Sequence, residues 1–384
     1  MNKLKIGVIF GSRSTEHDVS IITAISSIIK PINLTEEYEA VPIYIDKSGR
    51  WYCDPALADI NLYTKDNIGN YLAKLKPVLL ELNGGFNLVK PGLQAKKLKI
   101  DVIFPATHGT HGEDGELMGM LDLINVPYVG SEMPASVLSM DKALAKIMAD
   151  YSNIPTARFV FFYAKEFKND QQAIMMQLKD LRFPLFVKPV HLGSSIAISR
   201  VTDNKALVNA IELAAHYDEK IIVEEAVNNL VEVTLPIMGN NELKPALLEQ
   251  PLLKDEVFFD FNTKYMSGGK KGENAKQGAQ GYSKLPADLP KKLYEEAEEI
   301  ALKVYRVLGL KGIARVDLLI DLKAKKVYFN EVNPLPGSLY AHNWHQAGIS
   351  SVSLVSQLIQ LAQERYEEKK KLNTIFETNY LKQY

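Results

Sequence analysis

Residues 5–10, KIGVIF, form an apolar run rich in β-branched residues that stops at Gly11. A continuous run of this kind suits a strand buried on both faces, as in a parallel sheet covered by helices. Ser12 to Ser14 supply a loop, and Asp18-Val19-Ser20 leads into the helical pattern SIITAISSIIK. Strand, loop and helix in that order are the unit from which doubly wound α/β sheets are built. Further strands are expected at 40–45 (AVPIYI), 101–105 (DVIFP) and 127–129, with a helix over 117–124. Residues 54–96 read as irregular.

After Gly130-Ser131 the pattern restarts. A helix is expected over 135–150, and strands at 159–162, 184–189 (PLFVKP) and 220–225 (KIIVEE). Strands alternate through 231–260, and the Gly-, Lys- and Asn-rich stretch 262–283 reads as a long loop. A strong helix over 291–309 closes on Gly309. Two strands follow, GIARVDLLID and KKVYFNEVN, and then a last helix, SVSLVSQLIQLAQERYEEKKK, whose basic end suits its dipole. The 384 residues are enough for two or three domains, and 46% hydrophobic content supplies a sizeable core. A net charge of −1 argues against a nucleic-acid partner, which calls for a basic excess. The single cysteine, Cys53, excludes an intrachain disulfide framework. No stretch of about 18 apolar residues suggests a membrane span, and IGVIF is too short for a signal peptide. The expectation is a cytoplasmic protein.

Five segments carry chemistry. In Arg315-Val316-Asp317 and Glu331-Val332-Asn333, residues two apart on a strand share a face, so Glu331 and Asn333 can join Asp317 if the strands pair. Two carboxylates and an amide oxygen are hard ligands suited to Mg²⁺ on nucleotide phosphates; the same residues also suit a solvated hairpin. Lys188, in an apolar strand, needs an anionic partner, and His191-Leu192-Gly193-Ser194-Ser195 offers backbone N–H groups and hydroxyls to one. It is not a Walker A loop, and it equally suits a polar turn. Thr107-His108-Gly109-Thr110-His111-Gly112-Glu113-Asp114-Gly115 lies at a strand's carboxyl end, where α/β ligands bind, and suggests substrate positioning rather than metal. Glu16 begins a helix, either to favour its dipole or to hold an ammonium. Asp260-Phe261-Asn262-Thr263-Lys264-Tyr265 starts the long loop and suits a lid that excludes water, or a solvated basic loop.

In sequence order, VIFGSRSTEHDVS, ATHGTHGEDGELMGML, YVGSEMPASVLSMDK, FPLFVKPVHLGSS, DFNTKY, GIARVD and NEVNPLPG resemble the D-alanine–D-alanine ligases of the ATP-grasp superfamily. The resemblance implies an α/β, three-domain ATP-grasp architecture. Its parts are a doubly wound substrate domain over 1–134, a central subdomain over 135–224 and a C-terminal domain over 225–384 with a lid at 258–283. Nucleotide would lie between the last two. ATP would phosphorylate the carboxylate of one D-alanine, and the amine of a second would displace the phosphate, for peptidoglycan precursor synthesis. By position, Glu16 would bind the first ammonium in a network with Ser194 and Tyr265, and His108 would lie near the first carboxylate. Lys142, Lys188 and Lys264 would contact ATP phosphates, Glu224 the adenine and Glu232 the ribose. Arg315 and the Gly337 backbone would stabilise the tetrahedral intermediate. Asp317, Glu331 and Asn333 would hold two Mg²⁺ ions, with Mn²⁺ as the alternative. The partners implied are small molecules and a second copy in a homodimer.

This sequence departs from the family pattern in three places. Ser195-Ile196-Ala197 stands where the family has Ser-Val-Gly. Ala226–Val231 runs one residue longer before Glu232. After Pro336-Gly337 the family continues with Phe-Thr and a serine that grips the second carboxylate; here His342 falls near that place, beside Asn343. These two residues leave three readings open: D-alanine as acceptor, a different acceptor such as D-serine or D-lactate, or a nucleotide-binding paralogue without ligase activity.

Overall fold

The N-terminal run becomes β1 (Leu4–Gly11), and it lies where its two-sided apolar pattern requires, inside a sheet. The computed structural model describes residues 3–65, 67–92, 96–193, 195–252 and 283–384. β1 pairs in parallel with β2 (Tyr38–Ile45), whose other neighbour is the short antiparallel β3 (Trp51–Cys53). Three strands, β4 (Leu79–Glu81), β5 (Phe86–Lys90) and β6 (Lys96–Ile100), make a separate antiparallel sheet. β7 (Val102–Pro105) then pairs in parallel with the free side of β1, giving the order β3-β2-β1-β7. The helical stretch after β1 starts as an α-helix at His17–Ile22 and widens to a π-helix at Thr23–Ile29.

The central sheet contains β8 (Phe159–Tyr163), β9 (Leu185–Pro189), β10 (Ser199–Val201) and β11 (Lys220–Glu225), ordered β10-β9-β11-β8 with antiparallel neighbours. β12 (Leu230–Gly239) and β13 (Leu243–Pro245) open the C-terminal sheet, and β14 (Gln250–Pro251) pairs with β15 (Ser283–Lys284). β16 (Gly312–Asp321) and β17 (Lys326–Asn333) complete the order β13-β12-β16-β17.

Three expectations need correction. Residues 54–96 are not irregular: they hold β4, β5 and short helices at Asn61–Thr64 and Ile68–Leu72. Each piece is too short to show a period, yet Phe86 and Leu88 are buried in one core. Residues 127–129 form no strand; they meet the sheet through a single bridge, Ile103 with Tyr128. The helix expected over 135–150 is two, Met133–Met140 and Lys142–Tyr151, broken at Asp141, whose carboxylate caps the second by accepting the Leu144 N–H at 2.9 Å.

The first and last parts of the chain share one core. Ile6, Val8, Phe10 and Ile25 pack in the same cluster as Leu339, Trp344, Leu354 and Leu358. The helix Ser351–Lys369 brings Arg365 to the Tyr128 and Gly130 carbonyls, with its guanidinium 4.6 Å from the Tyr128 ring centre. This shared core sets the loops at the carboxyl ends of β1 and β7 against the C-terminal sheet.

Candidate active site

On the C-terminal sheet, Asp317 pairs with Glu331 and Arg315 with Asn333, so the four side chains share one face. That placement depends on a bulge. Val327 and Phe329 point into the core, and strict alternation would send Glu331 there too. The register shifts between Asp317 and Leu318, leaving Asn330 without a ladder partner and turning Glu331 and Asn333 to the Asp317 side while Val332 is buried. The row continues across β12, where Thr234 lies opposite Asp317 and bridges to Glu249.

Arg315 forks onto Asp317, Nε to Oδ1 at 2.7 Å and Nη2 to Oδ2 at 2.6 Å. Burial disfavours the guanidinium charge, but Asp317 outweighs it and holds the Arg315 pKa above its usual value. Asn333 Oδ1 is buried with no hydrogen-bond partner among the described residues. An orphaned amide oxygen beside two carboxylates fits a hard cation. A carboxylate offers about four acceptor directions, so the Arg315 fork does not exhaust Asp317.

The central sheet faces this row with buried cations. Lys142 Nζ lies 3.5 Å from Glu331 Oε2 and donates to the Leu192 carbonyl at 2.8 Å. Lys188 Nζ lies 2.6 Å from Glu224 Oε2 and 3.5 Å from Asn330 Oδ1, the bulged residue. Glu224 also pairs with Lys146, 3.0 Å away and fully buried. Burial alone would raise the Glu224 pKa, but the two lysines bring it down to about 2. Burial lowers that of Lys146 despite Glu224, whereas at Lys188 the nearby carboxylates of Glu224 and Glu331 outweigh burial and raise it. Glu232 lies on the same face of β12 as Thr234 and is among the charges felt at Lys188.

Glu16 occupies the junction of the two glycine loops. A Cβ on Gly109 would stand 3.1 Å from its Oε2, and one on Gly193 would stand 3.3 Å from it. The carboxylate is approached so closely because both positions lack a side chain. His108 is buried behind it, with Nε2 2.9 Å from Thr23 Oγ1 and Nδ1 3.7 Å from Glu113 Oε1. Burial disfavours the charged ring, but Glu113 outweighs it and raises the His108 pKa. Thr23 Oγ1, at the start of the π-helix, also accepts the Ser338 N–H at 2.9 Å, and Glu113 accepts those of Gly109 and Leu335.

Downstream of Gly337, Ser338, Leu339 and Tyr340 all take left-handed backbone, with φ of 52°, 54° and 53°. Each such residue costs about 1–2 kcal/mol; the buried Leu339 side chain and the Ser338 bond to Thr23 hold the turn. The Tyr340 ring lies 5.3 Å from the Arg315 guanidinium and 4.6 Å from the His342 ring, and its hydroxyl accepts from Thr234 at 3.2 Å. His342 Nε2 lies 2.8 Å from Glu249 Oε2. Asn343 is fully buried; its amide donates to the Leu247 carbonyl and to Glu249, and its oxygen accepts the Leu247 N–H at 3.0 Å. In the glycine loop, Ala197 adopts φ 55°, the region its missing glycine would favour.

The fold thus assembles Glu16, His108, Lys142, Lys188, Glu224, Glu232, Arg315, Asp317, Glu331, Asn333, Gly337 and His342 around one seam. Ser194, Lys264 and Tyr265, and the expected lid apart from residue 283, lie outside the described residues. Sequence reading missed Lys146 and Glu249, and it gave Glu113 no role of its own within the Thr107–Gly115 loop. Lys146 follows Lys142 by one helical turn among alanines, and Glu249 interrupts the apolar run PALLEQPLL; a charge inside an apolar pattern was the available signal.

The family described as D-ala D-ala ligase C-terminus matches residues 148–360, and D-ala D-ala ligase N-terminus matches residues 5–131. A D-alanine–D-alanine ligase of a Thermoanaerobacter species is 36% identical over 378 residues, covering 96% of this chain and 99% of the relative. Another, from Acetivibrio thermocellus, is 34% identical with 96% and 98% covered. Among solved structures, the D-alanine-D-alanine ligase of Coxiella burnetii superposes with a TM-score of 0.78 at 27% identity, covering 97% of each chain. The VanG D-Ala:D-Ser ligase of Enterococcus faecalis also gives 0.78, at 31% identity, over 94% of this chain and 100% of that one.

Proposed function

Because the chain belongs to the D-alanine–D-alanine ligase family, we propose that it joins two D-alanines with ATP, through a D-alanyl phosphate, in peptidoglycan precursor synthesis. The observation that carries this reading is the row Arg315, Asp317, Glu331 and Asn333 facing Lys142 and Lys188. Phosphoryl transfer is mostly positioning and charge neutralisation, and among the described residues this seam is built from cations, acids and glycines. Asp317, Glu331 and Asn333 would hold Mg²⁺, two ions with Mn²⁺ as the alternative, which would neutralise charge on the triphosphate.

Lys142, Lys188 and, from the lid, Lys264 bind the phosphates; Glu224 and Glu232 are assigned to adenine and ribose. Glu16, with Ser194 and Tyr265, holds the first ammonium, and His108 backs the first carboxylate. ATP gives its γ-phosphoryl group to that carboxylate, leaving ADP. The second amine, having lost a proton, attacks the carbonyl carbon, and phosphate departs with the C–O bond electrons. Arg315 and the Gly337 backbone stabilise the oxyanion between those steps. His342, braced by Glu249, reads the acceptor, and Asn343 supports Glu249 from behind. The three-part division at 134 and 224, a homodimer and a cytoplasmic location complete the proposal. Among the described residues, no helix is long and apolar enough to cross a membrane.

Phosphate release with ATP, Mg²⁺ and D-alanine, and a D-alanyl-D-alanine mass in the product, test the reading. No release under any acceptor leaves a nucleotide-binding paralogue. A second reading, D-serine as acceptor, is favoured by the likeness to the VanG ligase and by His342 in the acceptor segment. Mass spectrometry with D-alanine alone, then with D-serine or D-lactate added, separates the acceptors.

A further inference from the structure

His191 opens the Gly193 loop, and the roles assigned above leave its side chain unused. Its ring lies between two carboxylates from different segments. Nδ1 is 3.0 Å from Asp218 Oδ1, and Nε2 is 3.4 Å from Asp141 Oδ2. A neutral imidazole has one N–H and one lone pair, so it cannot serve two carboxylates; the doubly protonated ring donates to both.

The charges agree. Asp141 Oδ2 accepts from Lys220 Nζ at 2.7 Å, and the side chains of Asp141, Asp218 and Lys220 are buried, while that of His191 is 37% exposed. Two buried carboxylates and one lysine leave a negative charge that an imidazolium cancels. Asp141 and Asp218 accordingly push the ring's pKa up to about 9, against the opposing effect of burial. Among the described residues, Asp141, from the turn before the Lys142 helix, and Asp218, from the turn after the helix Asn204–Ala215, are the charges that bear on the ring, and Lys220, from β11, acts on it through Asp141.

The same cluster joins the parts that make the proposed phosphate cradle. Asp141 caps the helix that begins with Lys142. Asp218 accepts the His191 backbone N–H at 2.6 Å and that of Lys220 at 3.1 Å. Lys142 in turn holds the Leu192 carbonyl, one residue past His191. We infer that His191, as an imidazolium, is a positioning residue that fixes the Gly193 loop against the Lys142 helix and so preforms the cradle for the ATP phosphates. This rests on the ATP-dependent reading above. Loss of its proton would both loosen the loop and leave a negative charge beside a site for anions.

The test compares the full-length wild type with H191Q and H191K, using calorimetric binding of Mg·ADP and steady-state kinetics. H191Q is expected to weaken ADP and raise the KM for ATP about tenfold, the scale of one charge-assisted hydrogen bond. Its kcat and KM for D-alanine should stay within about twofold, because no reacting atom is touched. H191K, which restores the charge, should recover most of the ADP affinity. Wild-type affinity should fall as pH rises through about 9, and that fall should be absent in H191Q. Equal ADP binding by H191Q and wild type overturns the inference, as does an H191K no better than H191Q. If H191Q fails to fold by circular dichroism, the wild-type profile decides, and flat ADP affinity up to pH 10 overturns it. A wild type that binds no ADP overturns the ATP reading instead.

Discussion

Glu331 touches both halves of the seam, with Asp317 across the ladder and Lys142 from the facing sheet. Glu331→Gln keeps the shape and removes the charge. We expect turnover to fall about a hundredfold or more, on the scale of lost metal-assisted charge stabilisation, with the melting temperature nearly unchanged. Near-normal phosphate release would remove Glu331 from the metal site. Glu224 behaves differently, because it is a counter-ion to two buried lysines. Glu224→Gln leaves both lysines without that charge and should cost about 3–5 kcal/mol in urea unfolding. The folded pKa lies below the unfolded one, so this contribution is present above pH 4.5 and is lost as pH falls through about 2. A variant as acid-sensitive as the wild type would count against that assignment. The acids and amide of the metal row were legible because residues two apart on a strand must share a face. Lys146 was passed over: the alanines around it hint at burial, but a lysine in a helix reads as solvated until its neighbours in space are known.

At the scale of elements, β17 and the turn after it carry the site. The bulge at Asn330 leaves no sequence signal, yet without it Glu331 would face the core. The left-handed turn Ser338–Tyr340 has neither glycine nor asparagine to announce it, and tertiary contacts alone hold it. The longer strands and helices were legible from period, unlike the short pieces over 54–96; these two local departures, which aim the side chains, were not. The short helix Ala341–Gln346 that follows is tied to the strand side by Asn343. Asn343→Ala would remove the partner of the half-buried Leu247 N–H and carbonyl and leave Glu249 without the Asn343 amide. Unfolding free energy should drop by about 2–3 kcal/mol, with the KM for the acceptor altered less than by His342→Ala. A loss confined to acceptor KM, with stability intact, would instead make Asn343 a direct ligand.

At the scale of the molecule, the two sheets that face each other are also stitched behind the site. Phe329 bridges to Thr156 and donates its N–H to the Pro155 carbonyl at 2.8 Å. The helices over 133–151 lend Ala135, Ala145 and Ala149 to the C-terminal core, although the family resemblance assigns residues from 135 onward to the central subdomain. Beyond the last long helix, Leu372, Ile375, Phe376 and Leu381 are exposed. Removing residues 372–384 should leave turnover within about twofold and stability within about 0.5 kcal/mol, as for surface changes generally. A larger loss would show that this segment packs somewhere in the working enzyme.

The core shared by β1, its helix and the helix Ser351–Lys369 has a consequence for how the chain is made. Ribosomes release the N-terminal sheet first, but the side chains that close one of its faces are among the last to be translated. At roughly 5–20 residues per second, that face waits on the order of ten to fifty seconds for its cover. During synthesis, the first sheet to emerge is therefore among the last to have its apolar face covered.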